Sequence, residues 1–385
     1  MSVDRIIERA DALYNDLDLG SVQEWKARTG GKAIGYMPIY VPREVVHAAG
    51  AMAVGIMGGG DRVEVIRGDA YFQSYICQIP RSTIELALNG KLDALDGFLF
   101  PSICDVIRNM SGMFQLLLAG KYVRYIDVPQ NFDPKVGGTY WEGEIQHLRH
   151  DLAGLVGHAI TDDALRASIR VYNENRRLLR ELYRLRSDEP WRVPTWECYL
   201  VLRAGNVLSV EDHSQMLRDY LAAVRTVDRP QLDQSRVLVT GAFCEQPPLG
   251  LIKTLERAGC YIVGDDFVLG SRWIEGDIDE TGDPVRALSN AFLTQSVSTA
   301  SKYEPDHKGD ALIASVRKNA AEGVIFAAPS FCDPALLDQP MLEQALEKAG
   351  IPYTAFKYAE NLGQFQVIRE QAGTFADSIK LWSEP

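Results

Sequence analysis

The chain is expected to be an α/β protein: two similar parallel-sheet lobes joined by a helical middle segment. Three observations carry this. Apolar, strand-like runs alternate with helical patterns towards both ends, with short connections, as parallel strands require. Residues 139–226 are instead rich in helix formers, broken near Pro190 and Pro194. The two flanking parts also repeat each other's motifs in the same order.

The elements follow in chain order. Residues 1–28 read as amphipathic helix, with Ile6, Ile7, Ala10 and Leu13 at helical spacing and Asp4, Arg5, Glu8 and Arg9 opposite. Lys32 to Tyr40 reads as a buried strand. Pro42 opens a helix, a position where its missing N–H costs nothing. That helix ends at Ala49–Gly50, and Ala51 to Met57 forms the next strand. Gly97 to Pro101 and Val123 to Val128 continue the series. In the centre, Thr161-Asp162-Asp163 supplies a cap and acidic residues at the positive end of a helix dipole. The helix it starts carries Arg166, Arg170, Arg176, Arg177, Arg180, Arg184 and Arg186. These form either a solvated face paired with acidic neighbours or a surface for phosphate or an acidic partner. Strands return at Arg236–Ala242, Tyr261–Val263 and Gly323–Ala328, with a helix over Pro248–Ala258 and a closing helix over Gln364–Trp382. The expected divisions are 1–30 (N-terminal helical segment), 31–135 (first lobe), 136–232 (helical middle) and 233–385 (second lobe with its C-terminal helix).

The repeat is specific. Ala49-Gly50-Ala51 matches Ala258-Gly259-Cys260, each a helix end with a C-cap glycine leading into a strand. Pro101-Ser102-Ile103-Cys104-Asp105 matches Pro329-Ser330-Phe331-Cys332-Asp333, each closing an apolar strand. Ala119-Gly120 and Ala349-Gly350 then end the following helices.

Lys+Arg is 40 against Asp+Glu 52, a net charge of −12, which argues against nucleic acid or an anionic membrane surface as partner. No apolar run approaches the about 18–20 residues of a membrane span. Met1 to Leu13 is charged and amphipathic rather than a signal peptide, so a cytoplasmic location is expected. In a reducing compartment, six cysteines are buried apolar residues or metal and redox ligands. They show no CxxC spacing, so any metal site joins distant segments.

Open parallel sheets bind ligands beyond the carboxyl ends of their strands. Cys104 and Cys332 sit there, one per lobe, each just before a helix whose N–H groups favour a thiolate. If the lobes face each other, these two cysteines meet. Cys77, in Tyr71–Pro80, could reach the same cleft. Thiolates without histidine favour iron–sulfur clusters or zinc, and three thiolates on a 4Fe–4S cluster leave one iron open. The alternative is that all six cysteines are small buried hydrophobes; Cys198 and Cys260 are read that way, and Cys244 is left ambiguous. The glycine-rich Gly55–Asp61 lacks nucleotide-loop spacing. Val237–Ala242 begins like a dinucleotide fold, but Cys244 and Pro247-Pro248 stand where its later glycines belong. No P-loop is present.

Several motifs now identify a resemblance. Gly35-Tyr36-Met37-Pro38 with Pro42, Cys77 followed by Arg81, Ser102-x-Cys104-Asp105, Tyr172-Asn173-x-x-Arg176 and Ser330-x-Cys332-Asp333 resemble the family of benzoyl-CoA reductase and 2-hydroxyacyl-CoA dehydratase catalytic components. The likeness covers nearly the whole chain and is greatest to the smaller of two cluster-bearing subunits. It implies two flavodoxin-like lobes and a 4Fe–4S cluster on Cys77, Cys104 and Cys332. It implies as partners a larger homologous cluster-bearing subunit, a separate ATPase subunit pair and reduced ferredoxin as donor. The implied reaction on a CoA thioester is reduction of the benzoyl-CoA ring to a cyclohexadiene-1-carbonyl-CoA. The alternatives are a 2-hydroxyacyl-CoA dehydratase subunit, a double-cubane-cluster reductase, or a non-enzymatic bilobed binding protein. No proton donor is identified.

Overall fold

The computed structural model describes residues 1–37, 39–241, 246–267, 272–296, 308–359 and 365–383. Two parallel four-stranded sheets dominate it. The first contains β1 (Ala33–Tyr36), β2 (Met52–Gly55), β3 (Gly97–Pro101) and β4 (Tyr122–Ile126), in the order β2-β1-β3-β4. The second contains β5 (Ser235–Thr240), β6 (Cys260–Asp265), β7 (Gly323–Pro329) and β8 (Tyr353–Tyr358), in the order β6-β5-β7-β8. The two orders are the same topology, so the sequence repeat is a structural repeat. Interior strands β3 and β7 are buried along their whole length, which is why both read as unbroken apolar runs.

The N-terminal segment is two helices rather than one: α1 (Val3–Asn15) and α2 (Gly20–Thr29). Asp16 breaks it, because its carboxylate accepts the N–H groups of Asp18 and Gly20 and offers the backbone an alternative to the helix. Leu19 is left-handed there, with φ 56°. The strand expected to reach Tyr40 stops at Tyr36, and Tyr40 turns the chain with φ 63°. Beyond it come α3 (Arg43–Ala48), α4 (Gln78–Leu88) and α5 (Asp105–Leu117).

The middle comprises α6 (Thr139–Val156), α7 (Asp162–Asp188), α8 (Thr195–Ala204) and α9 (Val210–Val224). Thr161 caps α7 as its sequence suggests, its hydroxyl accepting the Ala164 N–H at 3.1 Å. The second lobe adds α10 (Leu249–Arg257), α11 (Pro284–Gln295), α12 (Lys308–Lys318), α13 (Asp333–Ala349) and α14 (Phe365–Ser383).

Two cores tie the middle to both lobes. In one, Ile6 and Ala10 of α1 pack with Leu182 of α7, Leu200 of α8, Leu217 of α9 and Val237 of the second sheet. In the other, Ile34 and Leu99 of the first sheet pack with Trp141 of α6, Ile169 of α7 and Phe292 of α11. Phe292 lies edge-on to Tyr40 with ring centroids 5.5 Å apart, so the second lobe reaches across onto the first. Burying each such leucine or phenylalanine contributes roughly 1.5–3 kcal/mol.

Candidate metal centre

Cys77, Cys104 and Cys332 occupy one structural position three times over. Each is the N-cap residue of a helix: Cys77 of α4, Cys104 of α5 and Cys332 of α13. A helix start has backbone N–H groups without intrahelical partners, and these favour a negative sulfur. At Cys104, burial holds the thiol pKa above the ordinary cysteine value, outweighing the N–H groups of Ile107 and Val106, which pull it down. Cys332 is near enough to act on the same thiol, raising its pKa as a like charge does. The two cysteines of the repeat therefore come together from opposite lobes. Cys332 is 3% exposed and packs in the core that contains Ile103 and Ala328.

The strand ends aim these cysteines. In the first lobe the Ser102 N–H donates to the Ile126 carbonyl at 2.9 Å, and the Ser102 hydroxyl accepts the Val128 N–H at 2.7 Å. In the second, the Ser330 N–H donates to the Tyr358 carbonyl at 2.7 Å. Each serine ties its interior strand to the outer strand, so the cysteine two residues on leaves the sheet at a fixed point.

Cys77 arrives by a loop. Its anchor is Glu85, whose carboxylate accepts the N–H groups of Ile66 at 3.0 Å and Gly68 at 2.8 Å. Burial pushes this carboxyl up, but the backbone donors of Gly68 and Ile66 outweigh it and hold the pKa below the ordinary glutamate value. Gly68 is pressed against the Arg81 carbonyl so closely that a β-carbon would overlap it. Arg81, which follows Cys77 in the motif, donates from Nε to Asp69 at 2.6 Å, closing the loop. Cys77 and Cys104 border the same core, around Ile79 and Ile107.

Among the described residues, no three of His, Cys, Asp and Glu converge as ligands of a single metal ion. Cys198 and Cys260 are fully buried in cores, and burial pushes both thiols up to about 12. Both are the apolar residues the sequence suggests. Cys244 lies outside the described residues.

The arginines of α7 are engaged with carboxylates. Arg176 forms a buried pair with Glu44. Arg186 pairs with Asp265 inside the protein, and Arg177 and Arg180 share Asp277 nearer the surface. Part of the arginine series is thus internal scaffolding rather than a solvated face.

A polar group that sequence spacing does not reveal stands beside Ser102, at the strand end that leads to Cys104. Asp127, directly after β4, accepts the Tyr125 hydroxyl at 3.2 Å and the Tyr140 hydroxyl at 3.1 Å. Tyr125 also contacts Ser102, and the Arg108 guanidinium lies 5.8 Å from its ring. Burial and the Asp127 charge push the Tyr140 phenol up to about 12, so it keeps its proton at neutral pH. The parallel register, with Pro101 beside Ile126, brings these residues to the strand end at Ser102.

Residues 38–379 match the family model of the 2-hydroxyglutaryl-CoA dehydratase D-component. The chain is 60% identical, over the full length of both proteins, to one of the subunits of benzoyl-CoA reductase from Thauera aromatica. It is 30% identical to the (R)-2-hydroxyglutaryl-CoA dehydratase beta subunit of Acidaminococcus fermentans, covering 92% of this chain and 94% of that one. It is 29% identical to the (R)-phenyllactyl-CoA dehydratase beta subunit of Clostridium sporogenes, covering 91% and 93%. The two-lobed chain with its paired Pro-Ser-x-Cys-Asp strand ends belongs to the 2-hydroxyglutaryl-CoA dehydratase D-component family.

Proposed function

We propose that this chain is an iron–sulfur subunit of an ATP-dependent benzoyl-CoA reductase, an oxidoreductase that reduces the aromatic ring of benzoyl-CoA to a cyclohexadiene-1-carbonyl-CoA. The observation that carries the reading is end-to-end 60% identity to a benzoyl-CoA reductase subunit, about twice the identity to the dehydratase beta subunits. The proposed cofactor is a 4Fe–4S cluster on Cys77, Cys104 and Cys332. The donor chemistry fits: all three are thiols at helix starts, and two of them approach each other from opposite lobes. That no three ligands converge on one ion among the described residues is compatible with a cluster, whose thiolates bind separate irons.

When bound, such a cluster supplies electrons of low potential. The protein's part is to hold and shield it. The N–H groups of Val106 and Ile107 support the Cys104 sulfur as a thiolate. The core around Cys332 keeps water from one side. Tyr140 and Tyr125, hydrogen-bonded to Asp127, hold protons at hydroxyls beside the same strand ends.

The proposed partners are a larger homologous cluster-bearing subunit, an ATPase subunit pair and ferredoxin as donor, acting in the cytoplasm. The test is reconstitution under strict anaerobiosis, with each component omitted in turn and benzoyl-CoA compared with a 2-hydroxyacyl-CoA. Reduction of benzoyl-CoA only by the complete set is expected. Turnover of the 2-hydroxyacyl-CoA instead would assign the chain to a dehydratase. Activity of this chain alone without ATP would refute its assignment as one part of a larger complex.

A further inference from the structure

The two repeated strand ends share a sequence pattern but not a backbone. In the first lobe the Ile103 N–H donates to the Pro101 carbonyl at 2.8 Å, and Ile103 is folded inward, 7% exposed. In the second the Cys332 N–H donates to the Pro329 carbonyl at 3.1 Å. That bond closes a four-residue β-turn whose third residue is Phe331, with φ 67°. A turn with positive φ at its third position ordinarily takes glycine or asparagine. For a bulky side chain this region is a genuine outlier.

The strain does not serve packing. Phe331 is 52% exposed, whereas its repeat counterpart Ile103 is buried. A left-handed backbone costs stability and an uncovered aromatic ring returns none, and both occur at the residue next to Cys332. Strain of this kind persists where the position has a function. The place is also the one where α/β sheets bind ligands, beyond the carboxyl ends of the strands.

We infer that Phe331 is a specificity-determining residue whose outward-held ring forms an aromatic wall for the acyl group of an aryl thioester. The inference rests on the benzoyl-CoA reading above. A ring fixed beside the cysteine site offers a planar acyl group a stacked or edge-on contact, which a saturated ring of similar size cannot match. The turn goes with the direction: Phe331, at positive φ, stands outward where its repeat counterpart Ile103, not at positive φ, is buried.

The test is equilibrium binding to the assembled anaerobic complex, with benzoyl-CoA and cyclohexanecarbonyl-CoA as paired probes. Wild type is expected to prefer benzoyl-CoA. Phe331→Leu should reduce that preference roughly 3- to 10-fold, with iron content unchanged, and Phe331→Tyr should restore it. Phe331→Gly should lose the same preference while raising the thermal midpoint of the isolated chain, because glycine relieves the turn. An unchanged preference in Phe331→Leu and Phe331→Gly would overturn the inference. So would a preference unchanged in complexes that form but dissociate more readily, which would place Phe331 at a contact between subunits. If wild type binds neither thioester, it is the benzoyl-CoA reading that fails, and the two failures are thereby distinct.

Discussion

The Glu85 carboxylate accepts the Gly68 N–H at 2.8 Å, and this bond fastens the loop leading to Cys77 onto the helix that Cys77 starts. The same carboxylate takes the Ile66 N–H and the Asn89 amide, so one side chain fixes three points. Hydrogen bonds to a charged group contribute roughly 1.5–3 kcal/mol each. Glu85→Ala should therefore release the loop and lower iron and sulfide per chain after anaerobic purification. Cys198→Ala, costing roughly 1–2 kcal/mol of packing at a remote site, should leave iron content intact. Full iron loading in a destabilised Glu85→Ala variant would separate this loop from the metal centre.

The ligand assignment makes a sharper contrast. Changing Cys77, Cys104 or Cys332 to Ala should each reduce the iron content and abolish activity. Cys260→Ala should retain both, with a packing cost of roughly 1–2 kcal/mol. Iron analysis together with the visible absorption band checks this. A fully loaded Cys104→Ala protein would remove that residue from the set.

The fold was legible because the repeat was. Pro-Ser-x-Cys-Asp at two strand ends pointed to two equivalent lobes, and β3 and β7 are the matching interior strands of sheets with the same order. The placement of Cys104 and Cys332 at those strand ends was legible for the same reason. The tyrosine pair on Asp127 was not, since Tyr140 reaches Asp127 only after β4 has paired with β3 and the chain has folded back through α6. The turn at Phe331 was also hidden: Ile103 and Phe331 occupy the same variable position of one motif, and only the backbone separates them. The pairing of the arginine series with carboxylates was legible, but its solvated character was not: Arg176 and Arg186 are internal. Which arginines would be internal depended on Asp265 and Glu44, far away in sequence.

Those internal pairs should behave unlike the surface ones. The Asp265 carboxylate accepts Arg186 Nη1 at 2.5 Å, Arg272 Nη1 at 3.0 Å and the Tyr183 hydroxyl at 3.0 Å. Among the described residues Arg186 Nε and Nη2 are buried without hydrogen-bond partners, so Asp265 is the main compensation for its charge. Asp265→Asn should cost about 3–5 kcal/mol, the penalty of leaving a buried cation uncompensated. Asp277→Asn, which loosens Arg177 and Arg180 at a more exposed site, should cost about 0–1 kcal/mol. Urea unfolding of both variants measures the difference, and equal costs would mean that the Asp265 network is hydrated.

His213 sets an acid limit on stability. It is 2% exposed, accepts the Asn175 amide at Nδ1 (3.1 Å) and donates from Nε2 to the Val201 carbonyl at 3.1 Å. That arrangement requires the neutral ring. Burial lowers its pKa to about 4, despite the opposing pull of the Val201 carbonyl. The unfolded chain takes up the proton near pH 6.5 and the folded chain only near 4. Stability from the neutral ring is thus fully present above about pH 6.5 and lost as pH falls towards 4, by about 3 kcal/mol over that window. His213→Gln can keep both hydrogen bonds, through its side-chain carbonyl and amide, and cannot titrate. It should be about 1–2 kcal/mol less stable than wild type at about pH 7.5, because the Gly205 backbone is moulded against the imidazole. At about pH 4 it should equal or exceed wild type. Parallel stability curves for the two proteins from about pH 7.5 to 4 would show that His213 is protonated in the folded state and that the neutral-ring assignment is wrong.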